Sequence, residues 1–173
     1  MEMESPEINP HDSLGKLIGI QTAILAVLLS IFTIFAHREH TNTLLFSNET
    51  SNAWAHYQAK RIRAYQVEMN TDLIKLLAPG SIETSKTLSN YDKQSNKYGK
   101  ELEEIKTEAD QKTREGEVAH RKAGYFDLAE ALLEIAVILS SLYFISRKKL
   151  FPILGLFLGS IGLIIGLVGM SIK

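Results

Sequence analysis

Three acidic residues inside an apolar stretch carry the most distinctive chemistry of this chain. Asp127, Glu130 and Glu134 are spaced by three and four residues, which puts their carboxylates on one side of a helix, and Ser141 continues the line. The surrounding segment, residues 125–146, is otherwise apolar and long enough to cross a bilayer. Ionisable side chains in such a span tend to face a bundle interior or a water-filled path. No Lys or Arg lies within the apolar stretches ahead of the terminal Lys173 to neutralise them, and burial without a cation favours the protonated acid. Two readings are open. In one, an assembled oligomer is lined by this stripe and conducts protons or cations. In the other, Asp127 and Glu130 sit at the wet interface while a protonated Glu134 hydrogen-bonds to Ser30 or to a neighbouring subunit.

Two further groups could act on a partner. His37 and His40 lie one turn apart, and a symmetric return of the chain sets His120 opposite His40. Three converging imidazoles would suit zinc, copper or a pH sensor, and solvated histidines near a headgroup layer are the plainer alternative. Trp54, Tyr57, Arg61 and Tyr65 follow at helical spacing. Aromatic and Arg residues on one face suit a protein interface, or packing on the returning arm with a cation–π contact. The sequence shows no phosphate-cradling loop, hydrolase elbow or metalloprotease motif, so no catalytic residue, cofactor or small-molecule substrate is expected. It contains no cysteine, which excludes disulfides, thiolate metal sites and cysteine nucleophiles.

The elements that must position these residues are helical. Residues 17–36 and 125–146 are membrane-length apolar segments, and residues 150–173 form a third, with Gly155, Gly159, Gly162, Gly166 and Gly169 at intervals of four and three. Those glycines share one stripe, where helix backbones can approach closely in lipid. Residues 1–16 form an acidic tail broken by Pro6 and Pro10, expected to be flexible. With no positive n-region ahead of the first segment, a retained anchor is expected rather than a cleaved signal peptide.

Between the first two segments, residues 37–124 read as two helical arms. A first seam runs through Asn48, Ser51, Ala55, Gln58, Ile62, Tyr65, Met69, Leu73 and Leu76. The pair Pro79-Gly80 marks a turn near residues 79–83. A second, more regular seam takes in Leu88, Tyr91, Ser95, Tyr98, Leu102, Ile105, Ala109, Lys112, Gly116 and Ala119. Glu108/Lys112, Asp110/Arg114 and Glu117/Arg121 add acid-first pairs on that arm. Each arm holds about 43 residues, or roughly 65 Å of helix at ~1.5 Å per residue. Equal arms return the chain to the membrane as an antiparallel hairpin. Its seams are thin in large apolar residues, which points to oligomerisation or a partner helix.

A net charge of -1 gives no reason to expect nucleic acid. The short connection Arg147-Lys148-Lys149 is the strongest positive-inside signal, placing residues 147–149 and the amino terminus in the cytoplasm and the hairpin and Lys173 outside. The runs His37-Arg38-Glu39-His40-Thr41, Trp54 to Arg63 (WAHYQAKRIR) and Ala129 to Leu150 (AEALLEIAVILSSLYFISRKKL) resemble a bacterial membrane-protein family, domain of unknown function 4337. The resemblance covers nearly all of the chain after Lys16 and implies three transmembrane helices with a coiled-coil-rich insert. It implies no catalytic residue, metal or cofactor. The expectation is therefore an all-α integral membrane protein of three transmembrane helices with a long helical hairpin between the first and second. Its expected role is a non-enzymatic structural or scaffolding component in a bacterial inner membrane, contacting lipid and forming a homo-oligomer or joining a larger complex. The alternative is a small oligomeric ion or proton channel lined by the carboxylate face.

Overall fold

A computed structural model describes residues 13–78 and 80–172. The two prolines of the amino-terminal tail, Pro79 of the expected turn and Lys173 lie outside the described residues. The described residues form three helices, α1 (Ser13–Leu77), α2 (Ile82–Ser146) and α3 (Leu150–Ser171). All three are long and apolar enough, by length and composition, to cross a membrane. Helix α1 starts at Ser13, so residues 13–16, read as the end of a flexible tail, are helical.

Neither 36/37 nor 124/125 is a break, because each expected anchor and its adjoining arm belong to one 65-residue helix. Breaks fall where the backbone demands them. Gly80 takes φ 95°, a conformation open mainly to glycine, between α1 and α2. Ser81 caps α2, its Oγ accepting the Thr84 backbone N–H at 3.0 Å. That cap explains why residues 84–96 are helical despite their weak helix formers. At the other end of α2, Arg147 adopts φ 55° and its N–H donates to the Tyr143 carbonyl at 2.8 Å, stopping the helix before α3.

The chain divides into two compact units. The described residues up to Thr41 pack with those from Val118 on, and Asn42–Glu117 form the second unit. In the first, α1 and α2 run antiparallel, since Gln21 meets Ser140 and Thr33 meets Glu130. Their core is Leu25, Phe32 and Ala36 against Phe126, Ala129, Leu133 and Ala136. The rings of Phe32, Phe35 and Phe126 lie 5.6–6.4 Å apart and fill one end.

In the second unit the helices are again antiparallel. Phe46 faces Gly116, Glu49 pairs with Lys112, and Lys60 pairs with Glu101. The packed face of α1 is Phe46, Thr50, Ala53, Tyr57, Lys60, Ala64, Val67, Thr71 and Ile74, an unbroken 4-3 repeat. This corrects the seam expected for the first arm, because all nine positions from Asn48 to Leu76 are exposed. The packed seam interleaves Phe46, Tyr57, Val67 and Ile74 with Thr, Ala and one Lys, whereas the neighbouring exposed stripe carries Ile62, Tyr65, Met69, Leu73 and Leu76. On α2 the expected seam is the one used, with Ile105 and Ala109 buried, although Ser95 is exposed.

Candidate functional site

The carboxylate line of α2 is divided among different environments. Glu130 is half-buried and accepts a hydrogen bond from Thr33 Oγ1 at 2.8 Å. Asp127 is exposed and its carboxylate lies 2.9 and 3.1 Å from His40 Nε2. Glu134, within the apolar part of α2, is exposed and forms no hydrogen bond among the described residues. Ser30 does not reach it, because its hydroxyl donates to the Ala26 carbonyl of its own helix at 3.0 Å. Ser141 likewise donates to Ile138 O at 2.7 Å. Hydroxyls in apolar helices often satisfy themselves this way, which removes them as partners for a neighbouring acid. The result is a polar edge along one side of the α1–α2 pair, from His40 and Asp127 through Thr33 and Glu130 to Glu134.

The register assumed for the imidazoles is not the one observed. His40 meets Asp127, seven residues beyond His120, and both His37 and His120 are exposed. Among the described residues no group of three or more His, Cys, Asp or Glu is placed to hold a metal ion. Antiparallel packing sets the rungs, and the rung containing His40 falls where α2 carries Asp127.

Gly155, Gly159, Gly162, Gly166 and Gly169 are all buried, and they face α1 and α2 of the same chain. A methyl added at Gly155 would meet Ser140 and the Ala136 carbonyl of α2, and one at Gly166 would enter the Phe32 ring of α1. At Gly162 the neighbours are Ala129 O and Leu132 Cβ, and at Gly169 they are Tyr125 and Phe126. The stripe therefore packs against the chain's own first two helices and closes the first unit. The sequence does not flag Gln21 as a link, although it connects all three helices. Its Nε2 donates to Ser140 Oγ at 3.2 Å and to the Pro152 carbonyl at 3.0 Å. The available signal is an amide in an apolar segment, which must find partners.

The aromatic set divides as well. Trp54 and Tyr57 are half-buried, with rings edge to face at 5.6 Å, whereas Arg61 and Tyr65 are exposed. The set advances by three, four and four residues while the seam advances by four and three, so the two drift apart along the helix. Arg61 donates to Tyr65 Oη from Nε at 3.0 Å and Nη2 at 2.7 Å, a bond that raises the guanidinium pKa further.

The ion pairs across the second unit set its register. Lys60, a seam residue, binds Glu101 and lies 5.5 Å from the Tyr98 ring centre. That hydrogen bond holds Glu101 below the usual carboxylate range against the opposing effect of partial burial, with a smaller contribution from Lys97. Lys112 binds Glu49 at 2.9 Å and Glu115 at 3.3 Å, not the expected Glu108, and both bonds raise its pKa. Glu115 is held low first by Gln111 and then by Lys112. A charged pair at a seam position favours one alignment over its neighbours.

These features define a class: an all-helical protein with three membrane-length apolar helices and a second helical unit built on polar, heptad-spaced pairing. The chain matches Domain of unknown function (DUF4337) over residues 14–172 and belongs to that family. No curated protein and no solved structure matches it.

Proposed function

We propose that this chain is a non-enzymatic bacterial inner-membrane protein that works by assembly, as a homo-oligomeric structural or scaffolding component. The observation that carries the reading is the exposed apolar line on α1 in the second unit. Ile62, Tyr65, Met69, Leu73 and Leu76 recur every three or four residues on a face turned away from the paired helix. Met69 is 58% exposed and Leu76 78%. Outside the apolar segments, a continuous apolar stripe of this kind marks an interaction surface. A second copy supplies a stripe of the same length and spacing, as a two-fold contact requires. Three membrane-length helices support bilayer insertion, and the basic connection 147–149 supports a cytoplasmic amino terminus with the second unit outside.

Because the natural chain lacks cysteine, single-cysteine crosslinking reads this contact cleanly. Met69→Cys in native membranes is expected to give a disulfide-linked dimer, and Asn70→Cys, on a neighbouring side of the helix, is expected to remain monomeric. Monomer from both variants at high expression would overturn the assembly.

One observation favours a second reading, a small proton or ion channel lined by Asp127, Glu130, Glu134 and Ser141. Glu134 stands exposed in an apolar segment without a partner, and an oligomer would enclose it. Proteoliposomes of the natural protein should then pass protons, and Glu134→Gln should reduce the flux at least tenfold. Silence of both across the pH range would sink the channel.

A further inference from the structure

We propose that the first unit binds one anionic phospholipid, with an acyl chain in the groove between α1 and α3 and the phosphate at Lys148 and Lys149. This inference rests on the reading that the apolar helices span a bilayer. Two adjoining cavities form the groove. The deeper, about 370 Å³, is walled by Ile20, Ile24 and Leu28 of α1 and by Leu156, Ser160 and Leu163 of α3, with Leu25 and Gly159 between them. The outer, about 250 Å³, continues past Leu14, Leu17 and Ile153 to Pro152 and Lys149. Leu17, Gln21 and Leu156 belong to both, so the space is one channel along the helices.

Its length suits one leaflet. From Leu28 to Leu14 the groove follows α1 for about 20 Å at ~1.5 Å per residue, against a half-thickness of roughly 15 Å for a bilayer core. Its inner part is lined by hydrocarbon side chains apart from Gln21 and Ser160, and both are already hydrogen-bonded within the protein. Its outer end is cationic, and among the described residues neither cavity is lined by a carboxylate. Lys149 lines that end, Lys148 precedes it, and Lys149 provides no side-chain cap for α3. The first turn of α3 begins beside Lys149, so the Leu150 and Phe151 amides, ahead of Pro152, lie at the lysine end, an arrangement that favours a phosphate. Basic sites between membrane helices recognise anionic headgroups in this way. A zwitterionic lipid would fill the groove equally well and lose only the charge preference, which sets the test.

The full chain, purified in mild detergent, is titrated with phosphatidylglycerol and separately with phosphatidylcholine, and bound lipid is counted by native mass spectrometry. One retained phosphatidylglycerol per chain is expected, with phosphatidylcholine weaker by on the order of tenfold, as two lysine–headgroup attractions imply. K148Q/K149Q should abolish the preference, and K148R/K149R should keep it. Ser160→Phe, which fills the groove without touching the lysines, should release both lipids. Equal retention of the two lipids by the natural protein, or a preference that survives K148Q/K149Q, would reduce the contact to ordinary annular lipid and overturn the site. Retention unaffected by Ser160→Phe would remove the groove from it. Release of the natural protein from membranes by an alkaline carbonate wash would instead overturn the bilayer reading itself, and the lipid site with it.

Discussion

Replacing Gly155 by alanine directs a methyl group at atoms that have no means of turning aside. Its Cβ would lie 2.7 Å from the Ala136 carbonyl oxygen and 3.2 Å from the Ser140 backbone nitrogen, with the Ser140 hydroxyl nearer still. Relief requires α3 to move away from α2, which also strains the Gln21 bonds to Ser140 and Pro152. Overpacking costs ~1–3 kcal/mol, and contacts with fixed backbone atoms put this one at ~2–3 kcal/mol; the gain in helix propensity from Gly to Ala returns at most ~1 kcal/mol, leaving a net loss of ~1–2 kcal/mol. Gly159 is the internal control. There the nearest atom is Leu25 Cδ2 at 2.5 Å, the end of a flexible side chain beside the open α1–α3 groove. Leu25 can swing into that space, so Gly159→Ala should change stability by less than ~0.5 kcal/mol once propensity is included. Helical content followed against rising SDS fraction in mild-detergent micelles ranks the two. Equal losses, or a neutral Gly155→Ala, would refute the packing of α3 on α2 through this glycine.

The remaining predictions concern the second unit. Ser81→Ala removes the α2 cap and should cost about 1 kcal/mol, seen as faster amide hydrogen exchange over residues 82–88 with little change near residue 105. Glu101 is held low by Lys60, so its contribution is complete above the ordinary carboxylate range and is lost as pH falls through its depressed folded value. Thermal melts of the full chain in detergent should therefore weaken on acidification, and Glu101→Gln should flatten the acid side of that profile while lowering stability at neutral pH. An acid profile identical in the two proteins would remove the pair from the account.

A large part of the fold was legible in the residues themselves. Three membrane-length apolar segments, the break around Gly80 and the 4-3 rhythm of the second arm are local properties of composition and spacing, and a helix expresses them directly. The glycine stripe was equally plain as a close-packing surface, because a run of absent side chains on one face has few other uses. The carboxylate line was visible for the same reason, since helical periodicity alone puts Asp127, Glu130 and Glu134 on one side.

Tertiary structure decided which surfaces meet. On the first arm two stripes of nearly the same spacing compete, one of them carrying Ile62, Tyr65 and Met69. The structure buries the other, because Thr50, Ala53, Ala64 and Thr71 are small enough for α1 to approach α2 while Lys60 reaches Glu101. Register likewise depends on the partner helix, which is why His40 meets Asp127 while His120 stays exposed. The glycines turn inward because α1 and α2 present Phe32, Leu25 and the small residues Ala129 and Ala136 to receive them. A sequence determines that a helix has a face to bury. Which face is buried, and against what, is set by the shape of the neighbour, a property no single helix contains.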